Sequence, residues 1–279
     1  PYLENFLKFD LGHMNTDFYP GRIADVVYSD GLKLDLYYPE HINDKNPLVI
    51  SIFGGGWISG FKTDKFIPPM IQPINEGFIV AVPDYTLSLD APFPQSVIDI
   101  KKCIAFLRSH SDLYKIDTNN ITLWGESAGA HLALEAGLAE NSHFDLALDT
   151  RVKYIIAMYA PSNPLTINAQ AEKLGILDTA RSDKDTVFGI YMGKNYDDER
   201  QMNLASPIKQ INDHMPNIIL EHGTKDALVP YLQSIEFFNK AKEKYPDSHV
   251  TLSIYDGLQH TDPFFFTKEH VHYLMNLLK

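Results

Sequence analysis

The segment Ile121-Thr122-Leu123-Trp124-Gly125-Glu126-Ser127-Ala128-Gly129-Ala130-His131-Leu132-Ala133-Leu134 constrains this chain more than any other. It opens with apolar, β-prone residues, crosses Gly-Glu-Ser-Ala-Gly, and continues into Ala and Leu at helical spacing. The pattern predicts a strand, a sharp turn and a helix, with Ser127 at the bend. A serine there occupies a strained backbone position that lifts its hydroxyl clear of the sheet edge. Gly125 and Gly129 carry no Cβ, so strand and helix can close tightly around it. The Ala128 N–H, in the first helical turn, points where an anionic oxygen would sit.

A hydroxyl at such a turn is a weak nucleophile until a base takes its proton, and an acid must orient that base. On a strand–turn–helix site the chain order is serine, acid, histidine. Ile218-Ile219-Leu220-Glu221-His222-Gly223-Thr224-Lys225-Asp226 reads as a strand and then a loop, with Asp226 beyond the strand's carboxyl end. Ser253-Ile254-Tyr255-Asp256-Gly257-Leu258-Gln259-His260 repeats the arrangement, with His260 in the loop. Sites in open α/β sheets lie at the carboxyl ends of the strands, where all three side chains can converge. His131, His214 and His222 compete for the role of base. His222 stands close to its strand's end and shares the acid's loop. Asp256 and Asp262 compete with Asp226, but both lie on the loop of His260, an awkward place for an orienting group. Phe53-Gly54-Gly55-Gly56-Trp57 follows an apolar run, and its glycines leave N–H groups free to donate to a substrate oxygen.

The rest of the chain alternates strands with helices. Strands are predicted at 24–28, 33–38, 48–53, 77–82, 121–124, 152–159, 217–220 and 249–255. Helices are predicted at 95–110, 131–139, 229–244 and 270–279. This rhythm implies an α/β fold, a mostly parallel central sheet with helices on both faces, in one domain over 1–279. Residues 160–207 break it with weak periodicity and helical stretches near 168–176 and 183–192. A segment that long inside a compact domain is expected to be a partly helical cap insertion roofing Ser127. Residues 1–20 are expected to form an aromatic-rich arm over the domain.

The net charge of −12 argues against nucleic acid or an anionic membrane as partner. No apolar run is long enough to cross a bilayer, and no secretion signal opens the chain. The chain begins at Pro1 rather than Met, which leaves room for a leader removed upstream. Cys103 is the only cysteine, so neither an intrachain disulfide nor a cysteine metal site is available. It falls on the apolar face of the 95–110 helix and is expected to be packed there. A reducing cytoplasm fits this usage, and a disulfide-free secreted protein fits as well.

The motifs Gly-Gly-Gly-Trp, Gly-Glu-Ser-Ala-Gly, His-Gly-Thr-Lys-Asp and Gly-Leu-Gln-His together resemble the α/β-hydrolase esterases and lipases. Within them the chain is most similar to the hormone-sensitive-lipase-like and feruloyl/acetyl esterase (BD-FAE-like) branch. Asp84-Tyr85, Phe93-Pro94, Asp99, Ala205-Ser206-Pro207-Ile208 and Val229-Pro230 extend the resemblance from about Ala24 to the C-terminus. It implies Ser127 as nucleophile, His260 as general base and then acid, and Asp226 as orienting acid. Gly55, Gly56 and Ala128 would supply the oxyanion N–H groups. The activity implied is carboxylic ester hydrolysis on short acyl chains, with acetyl or feruloyl esters of carbohydrates as candidate substrates and no metal or cofactor. Arylformamide or peptide hydrolysis could run on the same three residues, and a binding protein on a silenced hydrolase scaffold is a reading of another class. Two departures stand out. Phe53 replaces the histidine that braces the glycine loop in the family, which leaves that loop without its usual anchor. Ala130 replaces a second glycine in the first helical turn.

Overall fold

Long β-branched and aliphatic runs build the middle of one eight-stranded sheet. The computed structural model describes residues 10–176 and 182–279. Its strands are β1 (Arg22–Ser29), β2 (Leu32–Tyr37), β3 (Asn46–Ile52), β4 (Ile79–Pro83), β5 (Ile116–Glu126), β6 (Tyr154–Met158), β7 (Asn217–Gly223) and β8 (Val250–Tyr255). They lie in the order β1-β2-β4-β3-β5-β6-β7-β8. The β1–β2 and β2–β4 pairs are antiparallel, and every later pair is parallel. No residue of β3, β4 or β6 is exposed, as expected of parallel strands covered on both faces. β1, at the edge, is mostly exposed or half-buried.

The principal helices are α1 (Gln95–Ser109), α2 (Ala128–Leu138), α3 (Pro164–Leu174), α4 (Val187–Met192), α5 (Leu232–Lys244) and α6 (Lys268–Leu277). None of the described helices is long and apolar enough to cross a membrane. α2 packs on β3, β5 and β6, α1 on α2 and β1, and α5 on β7 and β8. Val97, Ile100, Cys103, Ile104 and Leu107 form the buried stripe of α1 at three- and four-residue spacing. Cys103 lies inside it as expected, and burial pushes its thiol pKa up.

Several boundaries differ from the sequence reading for local reasons. β5 starts at Ile116 because that residue pairs with Asn46 of β3. α2 starts at Ala128, directly after the serine. β6 ends at Met158 because Tyr159 turns to a positive φ of 41°. α5 starts only at Leu232, since the N–H groups of Leu228 and Val229 are taken by Asp226 Oδ1. α3 starts at Pro164, whose fixed φ suits the first helical position.

Within 160–207, α3 is tied to α5. Gln233 Oε1 accepts the Asn163 N–H at 2.7 Å, and Thr166 and Gln170 donate to Glu236. α4 drives Tyr191 onto Trp57, the rings stacked at 4.6 Å, with Phe188 edge-on to the same indole. Of the amino-terminal arm, residues 1–9 lie outside the described residues. Beyond them His13 bridges to Asp64, and its ring meets Phe61 at 4.8 Å.

The far end of α2 carries a polar cluster. Lys101 Nζ donates to the carbonyls of Ala136 and Ala139 and to Asn141 Oδ1, where the helix dipole favours a cation. Burial lowers its pKa to about 8. Glu135, one turn away, is buried with neither oxygen partnered among the described residues, and burial raises its pKa well above the usual range. A folded carboxyl that keeps a proton which the unfolded chain releases loses stability as pH rises above about 4.3. Glu135→Gln is therefore expected to exceed the native chain in stability at pH 8 by about 1–3 kcal/mol. The two proteins should converge below pH 4, as read by guanidinium unfolding at both values.

Candidate active site

Ser127 sits at φ 53°, ψ −121°, a conformation that few L-residues adopt. Close backbone packing holds it there. A Cβ on Gly125 would strike the Gly129 carbonyl, and one on Gly129 would strike the carbonyls of Ile52 and Phe53. The Ser127 N–H donates to Met158 O at 3.0 Å, which pins the bend to β6. Of seven described non-glycine residues with positive φ, four (Trp57, Ser127, Tyr159 and Thr261) follow β3, β5, β6 and β8 at the same sheet edge. Strain of this kind gathers at functional sites.

The three side chains singled out in the sequence meet there. His260 Nε2 lies 2.9 Å from Ser127 Oγ, and His260 Nδ1 lies 2.7 Å from Asp226 Oδ2. An ionised carboxylate only accepts, so Nδ1 carries the proton and Nε2 is free to receive that of Ser127. Asp226 has no exposed side-chain surface. Its Oδ1 accepts the N–H groups of Leu228 and Val229, both at 2.8 Å, and its Oδ2 also faces His222 Nε2 at 3.1 Å. Burial alone would raise its pKa. The His260 ring and the hydrogen bonds from His222 and His260 outweigh burial and hold it well below the usual carboxylate range. That depression contributes stability present above about pH 3.9 and lost as pH falls through the folded value.

The competing residues are engaged elsewhere. Asp256 accepts from Thr224 Oγ1, and Asp262 caps the turn at Phe264. His214 is exposed between Asp213 and Glu140. His131 is buried under Trp57, receiving the indole N–H at Nδ1 and facing Ala205 O with Nε2, and burial lowers its pKa to about 4. His222 faces Asp226 rather than Ser127, a contact that its place four residues before Asp226 allowed and the sequence reading missed.

The glycine loop presents free donors. Gly55 and Gly56 have φ 100° and 57°, and among the described residues neither N–H has a protein acceptor. The Ala128 N–H, at the first position of α2, has none within its helix. The loss of the bracing histidine at Phe53 is made good by two residues that sequence reasoning did not assign. The Tyr85 hydroxyl reaches the carbonyls of Phe53 and Gly54 at 2.9 and 3.1 Å, and its ring stacks on Phe53 at 4.5 Å. Glu126 Oε1 accepts the Gly54 N–H at 2.6 Å. Burial raises the Glu126 pKa, against the opposing pull of His260 and of that N–H. Its other oxygen and the Tyr159 hydroxyl are both buried and interact without a well-aligned hydrogen bond. The Tyr159 ring lies 4.7 Å from that of His260. No group of three or more His, Cys, Asp or Glu side chains placed to hold a metal occurs among the described residues.

The profile of the family described as BD-FAE matches residues 34–241, the greater part of the chain. The chain belongs to the BD-FAE family. It is 28% identical over 231 residues to esterase LipQ of Mycobacterium tuberculosis, covering 78% of this chain and 52% of the relative. It is 28% identical over 252 residues to isoprenylcysteine alpha-carbonyl methylesterase of Arabidopsis thaliana, covering 86% and 56%. The chain thus spans about half the length of these curated relatives. Among solved structures it resembles a truncated carbohydrate esterase from gut microbiota, with a TM-score of 0.79, 23% identity, and 95% of this chain and 98% of that one covered. It also resembles esterase B from Lactobacillus rhamnosis, with a TM-score of 0.74, 20% identity, and 92% and 83% covered. The fold of this BD-FAE member is that of the α/β-hydrolases.

The Tyr85 contacts yield a direct test. Tyr85→Phe keeps the ring stack but leaves two buried carbonyls without their donor. It should cost about 1–3 kcal/mol of stability in denaturant titrations, with the circular dichroism spectrum unchanged.

Proposed function

We propose that the protein is a serine carboxylesterase acting through an acyl-enzyme. The observation that carries this reading is the unbroken chain from Ser127 Oγ through His260 to Asp226, at 2.9 and 2.7 Å, beside N–H groups without an acceptor among the described residues. His260 Nε2 takes the Ser127 proton as Oγ attacks the ester carbonyl. The tetrahedral oxyanion rests on the N–H groups of Gly55, Gly56 and Ala128, whose donors are already in place before charge develops. His260 then delivers its proton to the departing alcohol oxygen. Water attacks the acyl-serine, gives a proton to His260, and the acid leaves as that proton returns to Ser127.

The substrate we propose is an ester of a short acyl group, with acylated carbohydrate as the preferred class. The names of the relatives, an esterase and a methylesterase, and that of a structural neighbour, a carbohydrate esterase, support ester chemistry. Residues 177–181 of the 160–207 insertion lie outside the described residues; we assign its described part to a cap beside the pocket, consistent with the packing of α4 on Trp57.

Ser127→Ala should reduce p-nitrophenyl acetate hydrolysis by about 10⁴-fold or more, and Asp226→Asn, which disturbs the His260 tautomer, by about 10⁴-fold. Native rates in either variant would reject the assignment. Rates on acetyl, butyryl and octanoyl esters, compared side by side, should fall with chain length.

A further inference from the structure

We infer that His222, backed by Ser234, is a positioning residue that fixes the Asp226 carboxylate for His260; the inference rests on the esterase reading above. His222 ends no more exposed than the strand interior, at 0%. Its Nε2 faces two acceptors, Asp226 Oδ2 at 3.1 Å and the Val229 carbonyl at 3.0 Å. Neither can donate, so Nε2 carries a hydrogen. Its Nδ1 lies 2.8 Å from the hydroxyl of Ser234, a buried residue in the first turn of α5. Among the described residues that hydroxyl has no other acceptor, so it donates to Nδ1 and holds the ring in the Nε2–H form. Two serine–histidine pairs therefore converge on a single oxygen. The Ser127–His260 pair comes from the rim, and the Ser234–His222 pair from inside the fold.

The inner pair acts on the outer one through Asp226. With two backbone N–H groups on Oδ1, and His222 and His260 on Oδ2, every hydrogen-bonding position of the carboxylate is assigned and it cannot swing. His222 also shares the charge of Oδ2, which moderates the hold of that oxygen on a protonated His260. The groups facing His260 are Asp226, Tyr159 at the end of β6 and Glu126 at the end of β5. Those facing His222 are Asp226, Ser234 and the Tyr159 ring at 6.5 Å. Freed of one donor, Oδ2 would stabilise imidazolium at residue 260 more strongly. The acid limb of the rate profile then moves to higher pH, while substrate binding is untouched.

The test uses native protein, His222→Asn, His222→Gln and Ser234→Ala. A fluorophosphonate adduct on Ser127 of the native chain comes first. Its absence rejects the esterase reading itself, whereas its presence isolates the role of His222. Profiles of kcat and KM for p-nitrophenyl acetate are then taken from pH 5 to 9. His222→Asn should lower kcat about 10- to 100-fold with KM little changed and the acid limb raised. His222→Gln places an amide N–H near the position of Nε2 and should recover most of kcat and the native limb. Ser234→Ala keeps the imidazole and should shift the limb in the same direction by less. A native kcat in His222→Asn overturns the inference, as does a lost rate with an unmoved or lowered limb that glutamine fails to rescue. Should His222→Asn not fold, an unshifted limb in Ser234→Ala overturns it equally.

Discussion

Strand and helix approach at Ser127 more closely than residues with side chains allow, and the rest of the site is arranged around that contact. Gly129 lies against the carbonyls that end β3, and Gly125 lies against Gly129, so β3, β5 and α2 form one packed unit. The loop that leaves β3 is the one carrying Gly55 and Gly56. The serine turn and the glycine loop are thus packed against each other through β3. The parallel register extends the same level across the sheet, Gly125 beside Ile52, Glu126 beside Met158, Met158 beside Glu221 and Glu221 beside Ser253. Loops leaving at one level can bring residues 127, 226 and 260 together although they are far apart in the chain.

Three buried carboxyls show how burial competes with the groups around it. Asp226 has four donors and is held ionised despite burial. Glu126 has one backbone donor, and burial prevails over it. Glu135 has no hydrogen-bond partner among the described residues, and burial raises its pKa well above the usual range against the pull of Lys101. Desolvation raises all three, and the charges and donors around each oppose it to different extents. Asp226, which faces His260, is the one of the three whose pKa is lowered. Burial instead raises the pKa of Glu126, next to Ser127, and of Glu135, within α2.

Much of this was legible in the chain. The Gly-Glu-Ser-Ala-Gly turn between an apolar strand and an alanine-rich helix is a local pattern, and its steric demand is local too. Asp226 and His260 were legible because each follows a strand in the order such a site requires. The sheet was legible from apolar runs of strand length separated by helical periodicity. What brackets those residues was not. Tyr85 reaches Phe53 across more than thirty positions, and nothing in either segment marks the pairing. His222 was visible only as a competitor for the base, because its partner Ser234 lies on a helix whose start the turn at Asp226 delays. Trp57 and Tyr191 likewise stack across a separation that no periodicity records.

The chain by itself determined the alternation of strands and helices, the bend at residue 127 and the loops that carry its partners, since each depends on near neighbours and backbone sterics. Tertiary structure decided that His260 meets both Ser127 and Asp226 while His222 meets Asp226. It also decided which way the pKa of each buried carboxyl shifts, and what braces the glycine loop. These depend on distances and burial between segments, and such quantities come into being only once the sheet has closed and water has been displaced.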